Sequence, residues 1–329
     1  MRYRKFGNTE LLVSEIGFGA WAIGGNSVIG NIPIGWGPAD DKTSHLAIEQ
    51  ALDTGINFFD TADFYGLGHS ETLLGNALKN KKAIIATKVG QKVIGSSIAS
   101  DYSKNYIIQA CEASLGRLAR DVIDYYQLHN ARMEHFLKGE CVEAMELLKS
   151  QGKIRYWGLS LSTFNPELEG NYFIEKNFGD GLQLVFNLIN QKAKAIMESA
   201  AKKGYGIIAR MPLQFGLLTG KFSGEEKFSD DDHRKFRLTK EIITKSNSIL
   251  SEKVWHLCSK YNINKISLAL SFVLSFKAVN TAIPGIRTAQ HVIDNSSGIT
   301  QLDKEDVNYL IDLYNVHWKD VLGLMEKQG

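Results

Sequence analysis

The chain has 329 residues, 44% hydrophobic and 22% charged, which is the composition of an ordinary globular protein with enough apolar side chains for a core. Its formal net charge of +2 argues against nucleic acid or a membrane surface as a partner. The N-terminus lacks the apolar run of a signal peptide, no stretch approaches the ~20 apolar residues of a membrane helix, and the three widely spaced cysteines are typical of reduced thiols. We therefore expect a cytoplasmic protein without nucleic-acid or membrane partners. The sequence leaves its oligomeric state open.

Strand-like and helical patterns alternate along the whole chain. Residues 3–13 predict two short strands around a Gly7-Asn8 turn. Apolar runs then predict eight strands, at 15–20, 56–61, 83–88, 122–128, 155–161, 182–187, 206–211 and 279–283. Helical patterns lie at 43–53, 71–80, 105–118, 139–151, 166–177, 193–203 and 239–276, and a tail helix is expected at 303–327. This alternation predicts one α/β domain over residues 1–329, a (β/α)8 TIM barrel preceded by a β-hairpin. An open parallel sheet is the alternative.

The connections between these elements differ in length. Turns from helix to strand are tight, whereas the loops that follow strands are long, at 21–41, 89–104 and 214–238. All long loops therefore emerge at the C-terminal ends of the strands, where barrel enzymes carry their active sites. The charged stretch at 225–235 is typical of a solvated loop, and its position also allows a lid over a cofactor.

The glycine-rich sequence at 17–22 fits the pattern G-x-G-x-x-A that dinucleotide-binding domains carry after a strand. In those domains a helix begins there, because the pyrophosphate binds at a helix N-terminus. The residues that follow are rich in glycine and proline, so no helix is expected. The pattern therefore does not predict a Rossmann domain.

Ionisable residues coincide with the predicted strand ends. Asp60, Lys88 and His129 lie at the ends of strands two, three and four, and Tyr65 follows Asp60 by five positions. Asp and Lys are seldom buried unless paired, which predicts an ion pair between Asp60 and Lys88. That pair alone could be purely structural. An ammonium beside a phenol lowers the phenol pKa from ~10, however, so Tyr65 is expected to act as a general acid. His129 is the alternative acid.

Several motifs of this chain resemble those of the aldo-keto reductases of bacterial type, in the same order and over nearly the whole length. They are GFG at 17–19, NFFDTADFYG at 57–66, ATK at 86–88, QLH at 127–129, GLLTGK at 216–221 and IPG at 283–285. The resemblance implies a catalytic tetrad of Asp60, Tyr65, Lys88 and His129. In it Tyr65 is the acid, Lys88 and Asp60 tune it, and His129 orients the substrate carbonyl. The implied activity is NADPH-dependent reduction of an aldehyde or ketone, or the reverse alcohol oxidation.

The resemblance also implies a set of residues that bind NADPH or NADP+. These are Ser160, Gln183 and Arg210 near the nicotinamide; Pro212, Leu213, Gly216, Leu218, Gly220 and Lys221 near the pyrophosphate; and Gly285, Arg287, Gln290, His291, Asp294 and Asn295 near the adenosine 2′-phosphate and adenine. Two positions depart from the family pattern. Leu161 replaces a common asparagine, and Arg210 replaces a stacking aromatic residue. Arg210 is expected either to stack on the nicotinamide or to bind an acidic neighbour or the substrate.

Three aromatic residues of the loops, Trp21, Trp36 and Phe64, are candidates for the wall of the substrate pocket, with ordinary packing as the alternative. His69 and Glu71 lack a third ligand at metal spacing, so no metal is expected. The sequence leaves the substrate unidentified.

Two other functions remain compatible with the sequence. A Schiff-base aldolase or isomerase would use a desolvated Lys88 as nucleophile, although pairing with Asp60 would keep that lysine charged. An NADPH-binding sensor or accessory subunit would bind the cofactor with little turnover. Borohydride trapping on Lys88 would support the first, and tight NADPH binding without turnover would support the second.

Overall fold

The computed structural model describes residues 1–329 and contains one sheet of eight parallel strands in chain order. The strands are β1 (Phe18–Gly19), β2 (Phe58–Asp60), β3 (Ile84–Val89), β4 (Ile123–His129), β5 (Ile154–Ser160), β6 (Gly181–Val185), β7 (Gly206–Arg210) and β8 (Thr281–Ile283). Parallel bridges from Ile16 to Ala282 and from Gly19 to Gly285 join the first strand region to the last. The prediction of a (β/α)8 barrel is thereby confirmed. The strands are short and apolar because both faces of a parallel sheet are covered.

Helices surround this sheet on the outside. They are α1 (Asp41–Asp53), α2 (His69–Ala77), α3 (Lys104–Leu118), α4 (Met133–Lys138), α5 (Glu140–Ser150), α6 (Glu167–Glu175), α7 (Lys194–Lys202), α8 (Arg234–Arg237), α9 (Lys240–Lys253), α10 (His256–Tyr261), α11 (Lys265–Leu274), α12 (Ala289–Ser296), α13 (Lys304–Leu313) and α14 (Lys319–Glu326). The region 239–276, expected as one helical segment, is divided into three helices. Asn262 ends α10 in the left-handed conformation, with φ of 52°. The side chain of Asn264 then caps α11 by accepting a hydrogen bond from the backbone N–H of Ser267 at 2.8 Å.

The predicted N-terminal hairpin is present and closes the bottom of the barrel. Tyr3–Lys5 pairs with Leu12–Ser14. Phe6 is fully buried and packs edge-on against the ring of Tyr125 from β4, with 5.1 Å between centroids. The hairpin therefore seals the end of the barrel opposite the long loops.

Two of the long loops carry hairpins of their own, which the sequence analysis did not predict. The first mouth hairpin pairs Ser27–Ile29 with Ile32–Ile34, and the second mouth hairpin pairs Gln91–Ile94 with Ser97–Ser100. Gly30 and Gly95 begin the two-residue turns with φ of 60° and 58°, a conformation that glycine adopts without strain. These hairpins follow β1 and β3, the two neighbours of β2.

The tail predicted at 303–327 forms α13 and α14, joined by a π-helical turn at Tyr314–Trp318. Met325 of α14 is buried, and its sulfur accepts a hydrogen bond from the side chain of Gln214 at 3.3 Å. The tail thus packs against the loop that follows β7. No helix of the chain combines the length and the apolar character that crossing a bilayer requires.

Candidate active site

A cavity of about 630 Å³ lies at the C-terminal ends of the barrel strands. At one end it is lined by Tyr65, by residues that surround Tyr65 and by the two mouth hairpins. It extends past the segment that follows β7 to Arg287 and Asn295 of the β8 region. Its size and mixed apolar and polar lining are those of an ordinary small-molecule site.

The barrel brings Asp60, Lys88 and Tyr65 into direct contact. Lys88 is fully buried, and its ammonium donates hydrogen bonds to Asp60 Oδ2 at 2.7 Å, to the carbonyl oxygen of Thr61 at 2.7 Å and to Tyr65 Oη at 3.2 Å. Since Tyr65 accepts the hydrogen bond from Lys88, its own hydroxyl hydrogen is free to point into the cavity. The three side chains therefore form one continuous polar network at the cavity floor.

The carboxylate of Asp60 is held by two further donors. Gln183 donates to Asp60 Oδ1 at 2.7 Å, and Gln127 donates to the same oxygen at 3.2 Å. Gln127 is a member of this network that the sequence analysis did not single out. It lies two positions before His129 on β4, so both side chains point to the same side of the strand. A polar residue inside an apolar strand was the available signal.

The placement of Tyr65 depends on a close approach between two loops. Tyr65 begins a 3-10 segment, and the next residue, Gly66, has φ of 60°. A Cβ at Gly66 would lie 2.0 Å from the carbonyl oxygen of Gly24, so only glycine fits. The ring of Trp21 packs edge-on against the Tyr65 ring, with 4.7 Å between centroids. These contacts fix the phenol at the barrel mouth.

The pKa of Tyr65 differs from the sequence expectation. Burial raises the pKa of the phenol above 10, and the Lys88 ammonium lowers it only in part, while the Asp60 carboxylate raises it further. The predicted net lowering of the Tyr65 pKa is therefore wrong, because the depth of burial outweighs the neighbouring charge. The phenol is protonated at neutral pH, which is the state that a proton donor requires.

His129 lies at the end of β4, with its ring centroid 6.1 Å from that of Tyr65. Burial, and then the positive charges of Lys88 and Arg210, hold the pKa of His129 well below 6.5. The imidazole is consequently neutral at pH 7. A neutral imidazole carries one N–H donor, which suits it to orient a carbonyl oxygen rather than to deliver a proton.

Lys88 does not line the cavity and is fully enclosed by the network. Burial alone would lower the pKa of Lys88, but Asp60 and Tyr65 more than compensate and raise it. A charged and enclosed ammonium is a poor nucleophile. The geometry therefore argues against the Schiff-base alternative.

Most residues predicted to hold the cofactor line this cavity. Those that do are Gln183, Arg210, Pro212, Leu213, Gly216, Lys221, Gly285, Arg287, His291, Asp294 and Asn295, whereas Ser160, Leu218, Gly220 and Gln290 do not. Ser160 is buried behind Gln183, to whose Oε1 it donates a hydrogen bond at 3.2 Å. It therefore contacts that glutamine and does not reach the cavity.

Arg210 has neither an acidic partner nor a stacking ring. Its guanidinium donates to the carbonyl oxygen of Leu161 and to the hydroxyl of Thr163, both at 3.0 Å. Its Nε is buried without a hydrogen-bond partner. The expectation of an acidic neighbour is therefore wrong. Leu161, which replaces the family's asparagine, turns its side chain away from the cavity and packs near Gly170 of α6.

The far end of the cavity carries two cations without a carboxylate partner, Lys221 and Arg287. Neither takes part in a salt bridge, although one Arg287 nitrogen donates to the carbonyl oxygen of Trp36 at 3.0 Å. Glycines with positive φ stand nearby at Gly216 (93°) and Gly220 (72°), although the N–H of Gly216 already donates to the carbonyl oxygen of Leu213 at 3.0 Å. The two free cations fit the phosphates of a dinucleotide.

The predicted substrate-wall residues all line the cavity but occupy different parts of it. Trp21 and Phe64 lie at the Tyr65 end. The Trp36 ring instead packs on the backbone of Gly285, where a Cβ would approach it to 2.7 Å, so it lies beside the segment that follows β8. Sequence reasoning missed several lining residues, including Ile32, Ile34, Gln91, Ile98, Phe215, His233, Phe236 and Arg237.

The charged stretch after β7 is only partly solvated. His233 is 6% exposed, donates a hydrogen bond from its ring Nδ1 to the carbonyl oxygen of Gly35 at 2.9 Å, and stacks on Trp36. Trp36 and Asp232 also form an antiparallel bridge. We call this contact of residues 26–36 with residues 231–234 the cover. The cover packs the loop after β1 against the loop after β7 at the edge of the cavity.

Two polar residues outside the cavity were considered as metal ligands from the sequence. His69 pairs with Asp41 at 2.9 Å, and Glu71 pairs with Arg117 at 2.7 Å. Both side chains therefore have protein partners of their own.

Comparison with known proteins gives consistent relationships over the whole chain. The sequence model of the aldo/keto reductase family matches residues 15–315. An aldo-keto reductase of Bacillus subtilis (strain 168) is 30% identical over 332 residues, which cover 95% of this chain and 94% of that protein. Among solved structures, a glycerol dehydrogenase from Gluconobacter oxydans superimposes with a TM-score of 0.81 at 29% identity, over 96% of this chain and 95% of that one. The holo form of an aldo-keto reductase from Bacillus halodurans gives 0.75 at 26% identity, over 97% and 100%.

Proposed function

Because this chain belongs to the aldo/keto reductase family, and is therefore an oxidoreductase that uses a nicotinamide cofactor on small carbonyl compounds, we propose that it reduces an aldehyde or ketone with NADPH and Tyr65 as the proton donor. The same groups would catalyse the reverse oxidation of an alcohol. The observation that carries the proposal is the contact of a buried ammonium, Lys88, with the hydroxyl of Tyr65 at the cavity floor.

When bound, NADPH would supply a hydride to the carbonyl carbon and be oxidised to NADP+. The Tyr65 hydroxyl would deliver its proton to the carbonyl oxygen as negative charge develops there, so that the carbonyl becomes an alcohol. Lys88, 3.2 Å away, stabilises the phenolate that remains. Asp60 keeps Lys88 charged, and neutral His129 orients the carbonyl oxygen by a hydrogen bond.

The preference for NADPH over NADH rests on Lys221 and Arg287. Both cations lack a carboxylate partner at the end of the cavity away from Tyr65, and a dinucleotide extending from Tyr65 would bring its phosphates to them. The 2′-phosphate, which NADH lacks, is assigned to Arg287. Gln183, which lines the cavity beside Asp60, would contact the nicotinamide carboxamide.

We also propose that all 329 residues act as one domain. A continuous core of 73 buried apolar residues joins the barrel strands, the surrounding helices and the tail, including Trp318 and Met325. The three cysteines are unpaired, which supports the cytoplasm as the place of action.

The decisive experiment replaces only the hydroxyl of the proposed donor. Tyr65→Phe should keep the fold and NADPH binding, and turnover should fall by about 10²–10⁴, the usual contribution of a positioned acid. NADPH consumption is followed by absorbance over a panel of aldehydes and ketones, and binding by quenching of tryptophan fluorescence. Wild-type protein that binds NADPH tightly and reduces no carbonyl would favour an accessory or sensor subunit instead. A variant within a few-fold of wild type would exclude Tyr65 as the donor.

A further inference from the structure

The two mouth hairpins stand on either side of the proposed proton donor. The first follows β1 and the second follows β3, and in the barrel these strands flank β2, after which Tyr65 lies. The hairpin turns also touch: a Cβ at Gly30 would lie 2.6 Å from the carbonyl oxygen of Ser96. The hairpins thus frame a passage that begins at Tyr65 and leads outward between them.

The first mouth hairpin turns an apolar face toward this passage. In its register Ser27 opposes Ile34 and Ile29 opposes Ile32, so these side chains share one face. Ile29 and Ile34 are buried against Phe64, close to the Trp21 ring. Ile32 lines the cavity at the tip and is 49% exposed. The inner part of this face is therefore packed, and its outer part is unoccupied apolar surface.

The second mouth hairpin repeats this arrangement. Its register places Gln91, Val93 and Ile98 on one face, and Gln91 and Ile98 line the cavity. Val93 and Ile98 are each 39% exposed. The opposite face carries Lys92, which pairs with Asp101 at 2.5 Å, so its charge is directed away from the passage.

The hairpin walls of the passage offer few hydrogen-bonding groups to a substrate. The hairpin residues that line the cavity are Ile32, Pro33, Ile34 and Ile98, with Gln91 as the polar exception. The only carboxylates that line the whole cavity are Asp60, which is already fully hydrogen-bonded, and Asp294 at the cofactor end. Hydroxyl groups of a sugar would lose water here without gaining partners.

We infer that the substrate class is a carbonyl compound with an extended apolar tail, an alkyl or aryl aldehyde or ketone, whose tail lies between the two mouth hairpins. This inference rests on the proposed carbonyl reductase function. The carbonyl sits at Tyr65 and the tail contacts Ile32, Ile98 and Val93. Polyhydroxylated carbonyl compounds of the same length are poor substrates. The hairpins determine this preference.

The test is a comparison of kcat/KM for propanal, hexanal and nonanal, with glyceraldehyde as the hydroxylated match for propanal. Complete burial of one methylene corresponds to about fourfold in affinity, and the half-open walls reduce this to roughly two- to threefold. We expect kcat/KM to rise about 8- to 30-fold from propanal to hexanal. The kcat/KM for propanal should exceed that for glyceraldehyde by at least about fivefold, because the buried hydroxyl groups of glyceraldehyde find no hydrogen-bond partners.

Matched variants test whether the dependence of kcat/KM on chain length arises at the inner faces of the hairpins. Ile98→Ser and Ile32→Ser should lower kcat/KM for hexanal and nonanal progressively more than for propanal. Ile94→Ser is the control, because this residue is 57% exposed on the opposite face of its hairpin and does not line the cavity. The control should retain the wild-type dependence on chain length. An equal loss in Ile94→Ser and Ile98→Ser would overturn the inference.

The two levels of the proposal fail in different ways. If propanal, hexanal and glyceraldehyde are all reduced at similar kcat/KM, the reductase function stands and the apolar-tail inference is refuted. If the protein binds NADPH and reduces none of the carbonyl compounds, the reductase function is refuted and the inference falls with it.

Discussion

Replacing Lys88 by methionine separates the electrostatic contribution of the ammonium from the rest of the network. The side chain keeps a similar volume, but Tyr65 loses a positive charge at 3.2 Å and Asp60 loses one at 2.7 Å. With an effective dielectric constant of about 20, a unit charge at 3.2 Å contributes about 5 kcal/mol to the phenolate, or roughly four units of pKa as an upper bound. Because a proton donor in the transition state carries only part of that charge, turnover should fall by about 10²–10⁴.

The pH dependence gives a second and more specific readout. In the proposed mechanism Tyr65 donates a proton, so the reduction rate is lost as pH rises through the pKa of the phenol. Lys88 lowers the pKa of Tyr65, although burial keeps it above 10. Lys88→Met should therefore reduce the plateau of kcat and move its basic limb to higher pH. Steady-state reduction of a good aldehyde substrate between pH 6 and the limit of stability measures both.

The loss of stability in Lys88→Met has to be measured together with its turnover rate. Removing one partner of a buried ion pair typically costs about 3–5 kcal/mol, here softened because Gln127 and Gln183 still donate to Asp60. Urea unfolding measures the stability that the variant has lost. A titration with NADPH at the assay temperature shows whether the variant is folded and binds the cofactor. Lys88→Arg is the control that keeps a positive charge. A folded Lys88→Met enzyme with kcat within a few-fold of wild type and an unmoved basic limb would refute the role of Lys88.

Three other expectations follow from the site. Arg287→Ala should weaken NADPH binding roughly ten- to hundredfold, because a charge-assisted hydrogen bond contributes about 1.5–3 kcal/mol. A fluorescence titration should find NADH binding nearly unchanged. Equal losses of affinity for both cofactors would place Arg287 away from the 2′-phosphate. His129→Gln should raise KM and lower kcat together in steady-state kinetics while leaving a measurable rate. An inactive His129→Gln beside an active Tyr65→Phe would make His129 the proton donor and Tyr65 the orienting residue. Burial lowers the pKa of His233 to about 4, so below pH ~6.5 the unfolded chain binds a proton that the folded chain does not. Stability should fall by up to ~1.4 kcal/mol per pH unit between pH ~6.5 and 4. His233→Gln should flatten that slope in urea unfolding at pH 7 and 5, and an unchanged slope would contradict the buried neutral imidazole.

The barrel was predictable because its strands correspond to short apolar runs at regular intervals in the sequence. Strands such as β2 and β4 end on Asp60 and His129, and the common direction of parallel strands brings such ends together without any knowledge of packing. The contact of Lys88 with Asp60 followed from the rule that buried charges are paired. These inferences need only local pattern and topology.

The remaining features depend on distances through space that the sequence does not encode locally. The pKa of Tyr65 is set by its depth of burial, which outweighs the ammonium beside it. Arg210 bonds to a backbone carbonyl and a hydroxyl rather than to a carboxylate. The mouth hairpins escaped prediction because their strands are only three or four residues long and expose part of their apolar faces. Trp36 was one candidate for the substrate wall, with packing as the alternative, and nothing local in the sequence shows that its ring packs on Gly285.

The cover has a consequence for the order in which the molecule is completed during synthesis. The hydrogen bond between the His233 ring and Gly35 joins positions 198 residues apart, whereas Asp60, Tyr65, Lys88 and His129 are all encoded in the first half of the chain. At the usual ~5–20 residues per second, the interval between translation of His129 and translation of His233 is roughly 5–20 s. The cover cannot assemble before that interval has passed. A ribosome-bound chain therefore carries Tyr65 well before it carries the residues that complete the cover.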